Sequence, residues 1–195
     1  QGKVVMTSNK HKRAVDRTEE ALRKIENIKK KKIDLIVMIQ GDEPLLEPQM
    51  INQVVNIFRK KKYTNISNLY TELKKLKEIK DSNRVKVVLD SDSNAIYFSR
   101  KAIIAKKIKD KKIYYKQGNV FCFNRKALRY FVSLKPTNLE KVESVDMNRL
   151  IESRYKVKMI KTKFNTINVD NQSDLRKAKI AMKNDKYFKS YCKKF

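Results

Sequence analysis

Apolar and polar positions at the start of the chain follow first a strand-like and then a helix-like spacing. Residues 3–8 form a short apolar run that ends in turn-forming residues, which predicts a buried strand. A helix is expected next, because Asp16 and Glu19 have the spacing of an N-cap residue and its N3 partner. The apolar residues of this helix recur at helical period: Ala21, Leu22, Ile25 and Ile28.

The same order repeats in the next segment. Residues 33–39 are nearly all apolar, and an apolar strand without alternation is typical of a central parallel strand buried on both faces. Pro48 then occupies a favoured first helical position. The apolar stripe of this second helix comprises Met50, Ile51, Val54, Val55, Ile57 and Phe58. The order strand, helix, strand, helix predicts βαβ units in which helices cover a parallel sheet.

The pattern changes in the middle of the chain. Residues 85–90 and 95–100 predict two strands joined by a turn, and residues 101–112 predict a surface excursion. The remainder predicts, in order, a strand at 119–123, a helix with Leu128, Phe131 and Val132, a helix with Val142, Val145, Arg149 and Leu150, strands at 157–160 and 166–170, and a helix opening near Ser173. Without a repeat or linker, residues 1–195 are predicted to form one α/β domain with a mostly parallel central sheet and a small mixed-sheet insertion.

The net charge, the length of the apolar runs and the cysteine spacing limit the classes of protein to which this chain can belong. The chain has 48 Lys and Arg against 21 Asp and Glu, a net charge of +27, but the lysines are spread over nearly its whole length. We interpret them as surface composition. The alternative is a nucleic-acid-binding protein, which would gather its lysines on one face. The absence of a long apolar run predicts no membrane helix and no signal peptide. Cys122 and Cys192 have no metal-ligand spacing, so a reduced, cytoplasmic protein is expected.

Two acids are the first candidates for chemistry. Asp42 follows the apolar strand at 33–39, and ligands of open α/β sheets bind beyond the carboxyl ends of the strands. Asp170 ends the run at 166–170 in the same way. If the two strands are neighbours, both carboxylates converge on one Mg²⁺, which favours oxygen ligands. The alternative roles are a turn or helix cap for Asp42 and an N-cap for Asp170, with Ser173 and Asp174 competing.

Several segments, taken as a set, resemble 3-deoxy-manno-octulosonate cytidylyltransferases. They are Gly2-Lys3-Val4-Val5-Met6-Thr7-Ser8, His11, Asp16-Arg17, Gln40-Gly41-Asp42-Glu43-Pro44, Tyr97-Phe98-Ser99-Arg100, Val169-Asp170 and Asp174-Leu175, collinear to about Ala181. The resemblance implies a Rossmann-like nucleotidyltransferase fold. It also implies transfer of cytidine monophosphate from CTP to the anomeric hydroxyl of an acidic sugar, a step in nucleotide-sugar and lipopolysaccharide biosynthesis. The expected partners are CTP and the sugar, with a homodimer left open and neither membrane nor nucleic acid expected.

The resemblance also assigns roles to residues. It implies that Asp42 and Asp170 are catalytic and hold Mg²⁺. Arg17, Gln40 and Gly41 are expected to bind the nucleotide. Arg100, Gln117 and Asp146 are expected to face the sugar. Arginine suits such sites because its guanidinium pairs bidentately with carboxylate or phosphate. His11 is the only histidine, which excludes a catalytic triad, and on a polar loop it is interpreted as a surface residue.

The chain departs from the family pattern at several positions. Arg13-Ala14-Val15 replaces a small Ser-Gly-Thr run, so bulky Val15 is expected to alter the cytosine pocket. Gln117-Gly118-Asn119 replaces His-Ile-Gly, and Asp146-Met147 replaces Glu-Gln. These changes fall on residues expected to face the sugar, so the acceptor is expected to be 3-deoxy-manno-octulosonate or a different, related ulosonic acid. Family members also begin earlier, with a loop that cradles the triphosphate. Residues 1–195 alone are therefore expected to release little pyrophosphate, and an inactive remnant is the remaining alternative.

Overall fold

A computed structural model describes residues 2–60, 63–103 and 114–192, in which six strands and eight helices follow one another. The elements are α1 (Ala14–Lys29), β1 (Leu35–Ile39), α2 (Pro48–Lys60), β2 (Ile66–Glu72), α3 (Leu76–Lys80), β3 (Lys86–Leu89), β4 (Ala95–Ser99), β5 (Tyr115–Asn124), α4 (Arg125–Ser133), α5 (Asn138–Glu143), α6 (Met147–Glu152), β6 (Lys158–Lys161), α7 (Gln172–Asn184) and α8 (Lys186–Cys192). None of the helices described is long and apolar enough to cross a membrane. The α/β class predicted from the sequence is confirmed.

One mixed sheet contains all six strands. Its order is β4-β3-β5-β2-β6, and β1 pairs with β5. β2 lies along one edge of β5, whereas β3 and β1 share the other edge. Among the strand pairs of the described chain only β2 and β6 run parallel, so the sheet is not mostly parallel as expected. The difference arises because an apolar pattern encodes burial and carries no information on strand direction.

Both faces of the sheet are packed, which explains the uninterrupted apolar run in β1. Ile36 and Met38 contribute to one core cluster, and Leu35 and Val37 to another on the opposite face. Residues of α1, α4 and α6 cover the first cluster: Leu22, Leu128, Phe131 and Leu150. Residues of α2 cover the second: Met50 and Val54. The helix predicted to start at Pro48 therefore forms and packs as expected.

Two predicted strands do not form. Residues 3–8 belong to no strand, and Val4 and Met6 are largely exposed. They are held instead by single hydrogen bonds to α1, where Lys24 Nζ donates to the Met6 carbonyl at 2.9 Å. Residues 166–170 likewise lie outside the sheet, although the Val169 amide donates to the Asp42 carbonyl at 3.0 Å. Short apolar runs predict extended backbone, but a strand also needs a neighbour along its edge.

Other boundaries differ for local reasons. α1 begins at Ala14 rather than after Asp16. The helix predicted around residues 142–150 is two helices, α5 and α6, because Ser144 adopts a left-handed conformation with φ 52° that ends α5. The N-cap of α7 is Asn171, whose side chain accepts from the amides of Ser173 and Asp174. The surface excursion predicted at 101–112 lies mostly outside the described residues.

The central strand β2 was not predicted from the sequence. It carries polar residues in buried positions, and each finds a main-chain partner: Ser67 Oγ donates to the Val54 carbonyl at 2.8 Å, and Asn68 Nδ2 donates to the Gly118 carbonyl at 2.8 Å. The register of β2 on β5 shifts between Asn68 and Tyr70. At this irregularity a Cβ on residue 118 would lie 3.1 Å from Leu69 Cβ, so the glycine permits the close approach.

An ion-pair network joins α1 to α4. Arg125 donates to Glu26 at 2.6 Å from Nε and at 3.0 Å from Nη2, and the Ile33 amide donates to the same carboxylate at 3.0 Å. These hydrogen bonds lower the pKa of Glu26 from 4.5 to about 2, and the hydrogen bond from Arg125 has the largest effect. The ionised carboxylate is therefore favoured in the folded protein.

We expect this network to make stability depend on pH. The folded pKa lies below the unfolded value, so its contribution is complete above about pH 4.5 and is lost as the pH falls toward 2. Glu26→Gln should lower the free energy of unfolding near neutral pH, and the difference from wild type should shrink over that acid range. Urea denaturation at a series of pH values measures the effect, with Glu47→Gln as control. An equal pH slope in Glu26→Gln and wild type would contradict the assignment.

Candidate active site

A cleft of about 540 Å³ opens where β1 ends and β5 begins. Most of the residues predicted for the site line this cleft: Gln40, Asp42, Arg100, Gln117, Asp146 and Asp170. Gly41 lies in the turn between Gln40 and Asp42. Folding therefore gathers residues from widely separated parts of the chain around one opening.

Asp42 and Asp170 lie on adjoining segments of the cleft wall. The Val169 amide donates to the Asp42 carbonyl at 3.0 Å, which joins the turn after β1 to the segment before α7. Burial, followed by the negative charges of Asp42 and Asp174, raises the pKa of Asp170. Asp42 Oδ1 is buried and has no hydrogen-bond partner among the described residues. The expectation that Asp170 ends a strand is wrong, but the two acids are close enough to influence each other.

This pair could hold a divalent cation. No group of three or more His, Cys, Asp or Glu side chains in the described chain has the arrangement of a metal site, so a closed structural metal centre is not formed there. Mg²⁺ differs, because proteins commonly hold it with one or two carboxylates while water and substrate phosphates complete its shell. The unpartnered Asp42 Oδ1 has the chemistry of such a ligand.

A partly buried polar network lies next to the acid pair. Glu43 is 5% exposed and accepts from Thr166 Oγ1 at 2.7 Å. Lys116 Nζ donates to Asn168 Oδ1 at 2.9 Å. Burial raises the pKa of Glu43 and lowers that of Lys116. These contacts hold the segment that carries Asp170 against β5 and against the turn after β1. Of the residues that make them, only Glu43 belongs to a segment singled out in the sequence, where it follows Asp42.

Arg100 is held rigidly on another wall of the cleft. Its guanidinium donates to three main-chain carbonyls: Glu143 at 2.8 Å, Ser82 at 3.1 Å and Ser144 at 3.5 Å. The Glu143 carboxylate accepts from the Arg100 amide at 2.8 Å and from the hydroxyl of Tyr97 at 2.8 Å. Glu143 therefore couples the end of β4 to α5 and fixes the direction of Arg100.

A buried lysine, Lys86, holds the main chain of Arg100. Lys86 is 3% exposed, and its ammonium donates to the carbonyls of Asp81 at 2.8 Å and Arg84 at 2.7 Å and also to that of Arg100. Burial lowers the pKa of Lys86, although the nearby Asp81 opposes this effect. The lysine thus ties the loop before β3 to Arg100. The role of Lys86 was not predicted from the sequence, because a lysine in a strand ordinarily faces solvent.

The segment before α1 forms a further wall. Arg13 and Ala14 line the cleft, whereas Val15 is fully buried in the core. Val15 therefore does not line this cleft, and its expected effect on the base pocket stays a prediction. Asp146 lies beside Arg13, and burial raises its pKa despite the positive charge of the arginine.

A profile of the family described as cytidylyltransferase matches residues 1–164. The chain belongs to the cytidylyltransferase family. A 3-deoxy-manno-octulosonate cytidylyltransferase of Fusobacterium nucleatum is 34% identical over 174 residues, which cover 89% of this chain and 69% of that protein. One of Syntrophus aciditrophicus is 31% identical over 181 residues, covering 91% and 71% respectively.

Solved structures of related proteins agree with the family assignment. A CMP:2-keto-3-deoxy-manno-octonic acid synthetase complexed with CTP superposes with a TM-score of 0.82 at 26% identity, covering 93% of this chain and 72% of that one. A glucose-1-phosphate thymidylyltransferase from Bacillus anthracis shares the fold, with a TM-score of 0.60 at 17% identity. The nucleotidyltransferase fold expected from the resemblance is confirmed.

Two residues of the family pattern lie away from the cleft of this cytidylyltransferase domain. Arg17 Nη1 donates to Thr7 Oγ1 at 2.6 Å, and Arg17 lines a separate groove beside β1. His11 is bonded to Glu20, which also accepts from the Ser8 amide at 3.0 Å. The fold therefore does not bring Arg17 to the other predicted site residues, and its role in nucleotide binding stays a prediction. Residues that line the cleft but were not predicted include Asn83, Asn168 and Asn171.

Proposed function

We propose that this chain transfers a cytidine monophosphate group from CTP to the anomeric hydroxyl of 3-deoxy-manno-octulosonate, or of a related acidic 3-deoxy sugar, and releases pyrophosphate. The observation that carries the proposal is one cleft that joins the acid pair, Asp42 and Asp170, to Arg100. The acids suit a metal-bound triphosphate, and the arginine suits a sugar carboxylate. The names of the related proteins support the same donor and acceptor.

Mg²⁺ is the cofactor that we propose for the acid pair. Asp42 and Asp170 would hold it, and the unpartnered buried Oδ1 of Asp42 is consistent with a ligand position. When bound, Mg²⁺ neutralises charge on the phosphates of the nucleotide. The chain itself keeps the two carboxylates together through the Val169 amide and the network around Glu43.

Positioning is the second contribution that we propose for the chain. Transfer of a phosphoryl-type group depends mainly on aligning the attacking hydroxyl with phosphorus, and a misplacement of about 1 Å can slow such a reaction about 100-fold. Arg100 meets this requirement, because main-chain carbonyls hold its guanidinium. In this proposal Gln117 and Asp146 also face the sugar, while Gln40 and Gly41 bind the nucleotide. Arg17 lies outside the cleft, and its role in nucleotide binding rests on the family resemblance alone.

Titration calorimetry tests this proposal. We expect CTP to bind in the presence of Mg²⁺ and the acidic sugar to bind more tightly to the CTP-loaded protein, since both occupy one cleft. Binding is the primary measurement because it tests the nucleotide and the sugar separately. Mass spectrometry of long incubations detects the CMP-sugar, and GTP serves as the control donor. Steeply salt-dependent binding to duplex DNA without binding of CTP or sugar would instead support the nucleic-acid alternative.

A further inference from the structure

Two arginines from distant parts of the chain converge on Ser144. Arg13 Nη1 donates to Ser144 Oγ at 3.4 Å, and Arg100 Nη2 donates to the Ser144 carbonyl at 3.5 Å. All three residues line the cleft. Two guanidinium groups held against one small residue repel each other, and an anion bound between them relieves that repulsion.

Among the described residues neither guanidinium donates a hydrogen bond to a carboxylate, although Asp146 lies beside Arg13 and the Glu143 carboxylate lies near Arg100. The Arg100 guanidinium donates to main-chain carbonyls, which carry no net charge. Arg13 Nε lies 3.6 Å from Glu140 Oε1, but Glu140 is already held by Arg149 at 2.6 and 2.7 Å. One long hydrogen bond to Ser144 therefore leaves most donors of Arg13 available, and its side chain is 33% exposed to the cleft and solvent.

The meeting point itself has an unusual backbone. Ser144 has φ 52° and ψ 41°, a left-handed conformation that is uncommon for residues other than glycine, asparagine and aspartate. Its amide donates to the Glu140 carbonyl, so the turn between α5 and α6 is held in place. A left-handed residue commonly ends a helix, and here it fixes the position of Ser144 against the two arginines.

We propose that Arg13 and Arg100 form a two-arginine cradle at Ser144 for the carboxylate of the acceptor sugar, and that Arg13 determines selectivity for an acidic acceptor. This inference rests on the proposed function. A carboxylate matches the planar fork of a guanidinium. The phosphates of CTP are assigned to the acid pair and its Mg²⁺, so the sugar carboxylate is the anion left for the two arginines. The family resemblance implies a small serine at the position of Arg13, so the second arginine of the cradle is a feature of this chain.

The test compares binding of the acidic sugar and of its uncharged methyl ester by titration calorimetry. Arg13→Ser should weaken binding of the acid about 10- to 100-fold, as expected when a charge-assisted hydrogen bond is removed. Arg13→Lys should recover part of the loss. Binding of the ester should be equally weak in wild type and Arg13→Ser. The control is Arg59→Ser, which removes one exposed arginine at the end of α2, and circular dichroism verifies folding of each variant.

CTP binding separates the possible outcomes. Affinity for CTP with Mg²⁺ should stay within about twofold in Arg13→Ser, because the cradle serves the sugar. Unchanged binding of the acid in Arg13→Ser, with CTP binding intact, would overturn the cradle alone. A loss confined to CTP would assign Arg13 to a nucleotide phosphate and overturn the cradle. A wild-type chain that binds neither ligand would overturn the proposed function as well.

Discussion

Asp42→Asn should weaken binding of Mn²⁺, used as a spectroscopic substitute for Mg²⁺, by about 100-fold or more. The substitution removes the charge from an acid whose buried Oδ1 has no partner among the described residues, and it leaves Asp170 as the remaining carboxylate of the pair. Metal-dependent binding of CTP should fall with it. Electron paramagnetic resonance measures free Mn²⁺ directly, and calorimetry measures CTP.

The same variant should not lose stability in the absence of metal. Asp42 raises the pKa of Asp170, so removing its charge relieves a repulsion inside the fold. Asp92→Asn is the matched control, since it removes one exposed carboxylate in the turn between β3 and β4. Wild-type affinity for Mn²⁺ in Asp42→Asn would remove the metal assignment. A marked loss of thermal stability would show instead that Asp42 is a structural residue.

Glu140→Ala should lower the free energy of unfolding by about 3–5 kcal/mol. Glu140 and Arg149 form a buried pair whose side chains are 1% and 4% exposed, with hydrogen bonds of 2.6 and 2.7 Å. The guanidinium also lies 5.2 Å from the centre of the Phe131 ring. Truncating the glutamate leaves a positive charge in the core without its partner. Urea denaturation monitored by circular dichroism measures the loss.

Two comparisons make this second result interpretable. The double variant Glu140→Leu, Arg149→Met should recover most of the stability, because both charges are replaced by apolar groups. Glu72→Ala removes a carboxylate from an exposed pair with Lys161 and should change stability by less than about 1 kcal/mol. A loss in Glu140→Ala no larger than that in Glu72→Ala would contradict a buried, interdependent pair.

Hydrophobic spacing alone predicted the elements that depend on local pattern. α2 starts at Pro48 and packs through Met50 and Val54, because a helical stripe and a favoured first residue are both visible along the chain. The antiparallel pair β3 and β4 was predicted from two apolar runs around a turn. β2 was not, since Asn68 is polar and its burial depends on carbonyls of β5, about fifty residues away.

The sequence by itself determined the α/β class, the packed nature of β1 on both faces, the family, and the residue types of the candidate site, because these depend on local patterning and motifs. Only the tertiary structure decided that β1 runs antiparallel to β5, that Arg17 lies outside the cleft, and that Arg13 meets Arg100 at Ser144. Strand direction and contacts between distant residues depend on how elements pack together. A linear pattern records which side chains become buried, but it does not record which partners they find.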